Sequence, residues 1–312
     1  MIHRKSPNKK KPNRTTPHDI TLMRLTMTRF LTIIIAASLL CGTTLQAEVL
    51  DMRGVVAGEP TLAHHYTFEG DASSRLEDMA GEVDLVEAAY GDGDTAAILY
   101  DAGWSAGNTA FTPQRLGSGT TGGAALVGST ITIGGSVTIE CLIKTDSVAG
   151  GGNGFALVAG KWPNRGYFLF ENASSDLGAW VGNGSQVFLD TVPGDWYYLT
   201  AVYSQDGANT TIDTYTANLS AGEETLTHTH LTQSGVFGTG EQHLGIGAFA
   251  TQTGTLQEAF AGSMDEVAIY DGALSASAVQ AHFDALLVPE PSAFALLLGL
   301  AALAASTRSK RA

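Results

Sequence analysis

The side chains that could do chemistry in this 312-residue chain fall into three sets. The first is oxygen donors. Glu69 and Asp71 close the segment HHYTFEGD, and Asp265 lies in GSMDEVAIYD. Carboxylates are the ligands that calcium prefers, so these three are the candidate calcium set. Asp265 capping a turn or facing solvent is the plainer alternative, and GDGD at Gly91–Asp94 reads as a turn. The second set is His228 and His230 in LTHTHL. At i and i+2 they share one face of a strand and suit a transition metal, but no third ligand is visible near them in sequence. Surface histidines on an edge strand are the plainer reading. His64 and His65 are adjacent and face opposite ways. The third set is tryptophans beside amides: Trp162 near Asn164, Trp180 near Asn183, and Trp104 near Asn108. An indole face stacks on the C–H side of a sugar ring while amides hold its hydroxyls. Packing is the alternative for each, and Trp196, which opens a strand segment, reads as core. Paired carboxylates for general acid–base work are missing from the pattern. Asp265–Glu266 and Glu223–Glu224 are adjacent and so point to opposite faces of an extended strand, and Glu140 stands alone on its strand.

These residues need elements to position them. SVTIECLIK (136–144) puts Val137, Ile139, Cys141 and Ile143 on one face and Thr138, Glu140 and Lys144 on the other. Cys141 is then a small core residue. GYFLFE (166–171), DWYYLTAVYS (195–204), TTIDTYTA (210–217) and GSMDEVAIYD (262–271) have the same β-branched and aromatic character, broken by Gly, Asp and Asn. Only LSASAVQAHFDAL (274–286) has a helical pattern, with Ser275 as N-cap. Many short strands and one helix predict an all-β antiparallel sandwich or barrel, not a parallel α/β fold. Residues 91–123 are long, polar and rich in Gly and Thr, and read as an insertion or as loops at one end of the sandwich.

Charge and cysteine usage narrow the setting. Residues 48–291 hold six Lys and Arg against thirty Asp and Glu, a net charge of −24. Such a body repels nucleic acid and anionic membrane surfaces and attracts cations. Cys41 falls in the N-terminal apolar segment, which leaves Cys141 alone in the body without an internal disulfide partner.

The two ends have their own logic. Phe30–Leu40, FLTIIIAASLL, is an apolar run behind Arg24 and Arg29, and TLQA (44–47) offers a cleavage site, the order of a signal peptide. The long basic stretch ahead of it suggests Met27 as the natural start; a nucleic-acid-binding arm is the alternative. A lipid anchor on Cys41 is disfavoured because Leu40 stands where a small residue is needed. At the other end Pro289, Glu290 and Pro291 precede thirteen uncharged residues, Ala293–Ala305, and a basic tip of Arg308, Lys310 and Arg311. As a helix the run would reach about 20 Å, short of the roughly 30 Å hydrocarbon layer. This order resembles the PEP-CTERM sorting signal of exported proteins. The resemblance implies an exosortase-type processing enzyme as partner and transient membrane association through the apolar segment.

The body, too, resembles a family. SVTIECLIKT, FALVAGKW, GDWYYLTAVYSQDG and GSMDEVAIYDGALSASAVQAHF are similar to the laminin-G-like, concanavalin A-like jelly roll, with HHYTFEGD as its opening strand and GGAALV (122–127) as its next landmark. The likeness runs from about Ala63 to Phe283, and Gly91–Thr121 departs from it. It implies two curved antiparallel sheets, with first and last strands commonly neighbours, so that Glu69, Asp71 and Asp265 could meet around a structural calcium. The resemblance also implies binding of sugars or proteins. Its glycan-cleaving members use a Glu-x-Asp-x-x-Glu run, which this chain lacks. The expected organisation is a basic extension and signal peptide (1–47), a linker (48–62), a jelly-roll domain (63–287) and a sorting signal (288–312). The expected role is an exported, non-catalytic surface or matrix module that binds polysaccharide or a matrix protein, with Trp162, Trp180, Asn164, Asn183 and Trp104 as ligand residues. A glycan-active hydrolase or lyase of the same fold and a purely structural matrix protein are the alternatives.

Overall fold

The computed structural model describes residues 52–287, apart from 92–97, 106, 116–121, 147–154, 162–165, 182–183, 237, 239–241, 251–255 and 258. Both terminal segments read above as signals, with Pro289–Pro291 and the Arg308, Lys310 and Arg311 tip, lie outside the described residues. Among the described residues no helix is long and apolar enough to cross a membrane.

Two antiparallel sheets face each other. Sheet A runs in the order β14 (Thr227–Ser234), β13 (Asn209–Asn218), β12 (Trp196–Asp206), β7 (Ser136–Thr145), β18 (Gly262–Tyr270), β4 (Thr109–Thr112), β3 (Leu99–Ala102), and β1 (Leu62–Tyr66) also pairs with β18. Sheet B runs β11 (Gly184–Leu189), β10 (Leu177–Val181), β9 (Tyr167–Asn172), β8 (Phe155–Lys161), β15 (Gln242–Ile246), β6 (Gly122–Ile131), β2 (Val86–Gly91), with β5 (Gln114–Arg115) on β6, and the short β16 (Phe249–Ala250) and β17 (Leu256–Gln257) pair with each other. First and last strands are neighbours, as the resemblance implied. The interval 91–123 is less irregular than expected: β3 and β4 form a hairpin that extends sheet A.

Alternation sets the core. Val137, Ile139, Cys141 and Ile143 of β7 point between the sheets and meet Leu169, Ala179, Leu199, Ala201 and Ile246. Two tyrosines deep in this layer place a hydroxyl on a carbonyl, Tyr203 on Phe168 at 2.9 Å and Tyr66 on Val83 at 2.8 Å, because a buried hydroxyl without a partner is costly.

The other face of sheet A is covered as well. The C-terminal helix, Ala276–Leu287, lays Val279, Phe283 and Leu286 over Leu142, Tyr198, Ala268 and Tyr270, with Met52 and Val56 of the helical turn 52–56 beside them. Ser275 caps it as the sequence predicts, its hydroxyl accepting from the Ala278 amide at 3.1 Å. This second layer buries Glu140 completely. Tyr198 and Tyr270 each donate to its carboxylate at 2.5 Å, and His282 Nδ1 lies 2.9 Å from Oε2. His282 Nε2 is 3.4 Å from Glu59. Burial pushes the Glu140 carboxyl upward, but His282 and the two tyrosines hold it below the usual range. Burial pulls His282 down, and Glu140 and Glu59 more than reverse that.

The raised His282 contributes stability that is present below its unfolded value of 6.5 and lost as pH rises through the folded value. The lowered Glu140 contributes stability that is present above 4.5 and lost as pH falls through its own folded value. Urea unfolding should therefore show greatest stability from this pair between those two values. His282→Ala leaves a buried carboxylate without its cation and should cost about 3–5 kcal/mol at pH 5.5. A variant as stable as the parent at that pH would refute the pairing.

Candidate functional site

Two places in the described residues gather functional side chains. One is a charged junction on the covered face of sheet A. A bulge between Asp265 and Ala268, with Glu266 at φ 50°, breaks the alternation of β18. The expectation that Asp265 and Glu266 face opposite ways fails for this reason, and both join one network. Asn108 Nδ2 donates to Asp265 at 2.6 Å. The Arg53 guanidinium donates to Glu266 through Nε at 2.6 Å and through its terminal nitrogen, and to Glu69 at 3.2 Å. His65 Nε2 is 3.1 Å from Glu266. Glu69 also accepts from the Thr109 amide at 2.8 Å. Phe68, just before Glu69, has φ 56°, so among the described residues two of the three non-glycines with positive φ flank this junction. Strain of that kind persists where surrounding contacts fix it. Burial, then the neighbouring Glu266, hold the Asp265 carboxyl well above the usual range. Asn108 Oδ1 and Ser105 Oγ are buried without a hydrogen-bond partner in the structure. A cleft of about 420 Å³, lined in part by Arg53, Glu59, His65 and Met79, opens beside the network.

The structure thus brings Glu69 and Asp265 into one network and adds Glu266, Asn108 and Arg53. Asp71 is engaged elsewhere: exposed, it accepts from the Ser73 amide at 2.8 Å and hydroxyl at 2.5 Å in its own turn. His64 turns the other way, its Nδ1 2.7 Å from Asp78. Burial works to raise the Asp78 carboxyl, but His64 and the Gly81, His65 and Ala80 amides hold it down to about 2.

The second place is the outer face of sheet B. The register aligns Gly160, Phe168 and Trp180 in one row across β8, β9 and β10. The Phe168 and Trp180 rings lie on that face beside Phe170 and Phe249. Phe168 and Trp180 stack with centroids 5.6 Å apart and planes 11° off parallel, and Phe249 meets Phe168 edge-on at 4.9 Å. Glycine makes this tier possible. A Cβ on Gly178 would come within 2.2 Å of the Phe170 ring, and one on Gly160 within 2.5 Å of Phe168. Trp180, expected in a loop, is on strand β10 and half-buried. Trp104 is half-buried against the helix-side core, and Trp196 is buried there as predicted. Trp162, Asn164 and Asn183 lie outside the described residues. The strand ends they join, Lys161, Tyr167 and Val181, pair in a single row next to the aromatic one.

A family model described as the concanavalin A-like lectin/glucanases superfamily matches residues 118–280. No curated protein matches the sequence. Among solved structures, the binding domain of botulinum neurotoxin serotype C1 superposes with a TM-score of 0.51 at 9% identity, over 75% of this chain and 53% of that one. A structure of botulinum neurotoxin type C, whose cell entry depends upon interaction with two ganglioside molecules, aligns with a TM-score of 0.50 at 10% identity, over 73% and 52%. The chain spans about half the length of these structures, and at such identity the likeness concerns the fold.

The aromatic tier makes a sharp demand on Gly178. Gly178→Ala should lose about 1–3 kcal/mol through overpacking, whereas at the exposed Gly54 a Cβ would meet open space. Chemical denaturation of Gly178→Ala with an unchanged midpoint would contradict the packing described.

Proposed function

Because this chain belongs to the concanavalin A-like lectin/glucanases superfamily, we propose that it is an exported, non-catalytic module that binds carbohydrate on the aromatic face of sheet B. The observation that carries this is Trp180, a half-exposed indole on a rigid strand, held flat by Phe168. A ring fixed in one plane binds a pyranose face without first losing rotamer freedom. Trp162, Asn164 and Asn183, outside the described residues, are kept in this proposal as further ligand residues because the chain links them to strand ends in the adjacent row. Trp104 packs on the helix-side core and is set apart from that platform.

The acids of sheet B support binding over cleavage. Glu87 and Glu171 are the acidic residues on its strands, and β2 and β9 are four strand spacings apart. That is roughly 19 Å, beyond the 5–9.5 Å that either hydrolytic geometry uses. Calcium, in this proposal, would bind at the junction through Asp265, Glu69 and the unpartnered Asn108 Oδ1, with Arg53 already neutralising Glu266. The terminal segments are proposed to export the chain and present it to an exosortase-type enzyme at Pro289–Pro291, leaving it at the cell surface or in the extracellular matrix.

A glycan array with the full chain and Trp180→Ala tests the binding reading. Affinity should fall by a few-fold to about tenfold, the worth of one aromatic contact. Melting should move less than for Phe168→Ala, a fully buried ring whose loss costs about 3–5 kcal/mol. Equal glycan binding by both proteins would remove Trp180 from the site, and release of reducing ends or unsaturated products would overturn the non-catalytic assignment. Calcium has its own check: saturating ion should raise the melting temperature of the metal-free protein, and less so for Asp265→Asn. No shift at millimolar calcium would dismiss it. Deleting Pro289–Ala312 should change where the protein is retained, and unaltered retention would dismiss the sorting role.

A further inference from the structure

The sequence offers His228 and His230 as a metal pair without a third ligand. Folding supplies one. On the outer face of the β13–β14 hairpin, His230 is the register partner of Asp213 and His228 that of Tyr215. His228 Nε2 and His230 Nδ1 both lie 2.8 Å from the same oxygen, Asp213 Oδ1. All three side chains are partly exposed, at 49%, 54% and 30%. Tyr215 stacks on the His228 imidazole with centroids 4.8 Å apart and planes 14° off parallel, which fixes that ring. Strands β12, β13 and β14 contain no Lys or Arg to compete for the carboxylate.

We propose that Asp213, His228 and His230 bind a borderline divalent transition metal, with zinc as the reference ion. Two imidazole nitrogens and one carboxylate oxygen form a three-point donor set that leaves further positions open. No trio of His, Cys, Asp and Glu among the described residues encloses a cation as it stands. Here the place of the cation is taken by hydrogen bonds. Zinc bonds of about 2.0–2.2 Å put tetrahedral donors about 3.3 Å apart, so each nitrogen–oxygen gap must open by about 0.5 Å. Partly exposed side chains on a hairpin accommodate that by small rotations. The open positions take water or a donor from another molecule. Nitrogen donors favour zinc, nickel or copper over calcium and magnesium, which separates this site from the oxygen-only junction at Asp265. Burial works to raise the Asp213 carboxyl, and hydrogen bonds from His230 and His228 hold it below its usual range, so the donor is already anionic at neutral pH.

The test is calorimetric titration of zinc into the untagged, metal-free full chain at pH 7.5, repeated with His228→Ala, His230→Ala and Asp213→Asn. A second readout is the visible ligand-field spectrum of bound cobalt. The parent should bind one ion at this site, and calcium in excess should not displace it. Each variant should lose at least about tenfold in affinity, the scale seen even when a ligand's outer partner is removed. Unchanged metal-free melting of the variants shows that folding is intact. Equal zinc affinity in parent and both histidine variants, or no binding by the parent, overturns the proposal and leaves the histidines as protection for an edge strand.

Discussion

The centre of sheet A is buried on both faces, and that single constraint organises the charges of this molecule. Strands β7 and β18 have the second sheet on one side and the C-terminal helix with the helical turn on the other. An ionised group on the helix side can neither reach bulk water nor remain unpaired. Glu140 is therefore enclosed by two tyrosine hydroxyls and His282, and Glu266 by Arg53 and His65. Asp265 solves the same problem differently. Burial and the neighbouring Glu266 charge raise its carboxyl well above the usual range, more than the nearby Arg53 lowers it. Removing the covering helix would take His282 from Glu140 and expose that carboxylate, which makes helix docking and the neutralisation of Glu140 one event.

Sheet B faces a different constraint. Its outer face carries no helix among the described residues, and rings cover it instead. Gly178 leaves a hollow in the pleat that the Phe170 ring lies across, and Gly160 lets the Phe168 backbone approach closely. The cover is thin, so the last ring of the row, Trp180, is only half-buried. A rigid, apolar, partly exposed tier is what a sugar-binding surface needs, and it arises here from packing requirements alone. In the proposed role its stability and its binding of sugar would come from the same stacked pair.

Much of this was legible in the sequence. Alternation in SVTIECLIK located the inward face of β7, and the Ser275 cap located the helix. What escaped were features set by a single residue's conformation or by a partner far along the chain. Glu140 reads as a lone strand acid because its partners, Tyr198, Tyr270 and His282, are 58 to 142 residues away. The bulge at Asp265–Ala268 has no compositional mark: no glycine stands there, and Glu266 takes the positive φ itself. Trp180 was expected in a loop because GAWVGNG is rich in the residues that usually end strands. The glycine at 178 serves a ring, not a turn, and only the cross-strand partner Phe170 reveals that.

Asp213 shows the same limit from the side of function. The oxygen that approaches both imidazoles is not a sequence neighbour such as Glu223 or Glu224 but Asp213, contributed across the hairpin. Period-two alternation says only that the two imidazoles share a face. Register says which residue of the next strand shares it with them, and register depends on the length of the connection between β13 and β14 and on burying Ile212 against the core beside Leu231. A slip of one residue would turn Asp213 inward and Ile212 outward. The apolar pair at Ile212 and Leu231 therefore holds Asp213 and the histidines together, so the donor geometry on the outer face rests on the hydrophobic register of the inner one.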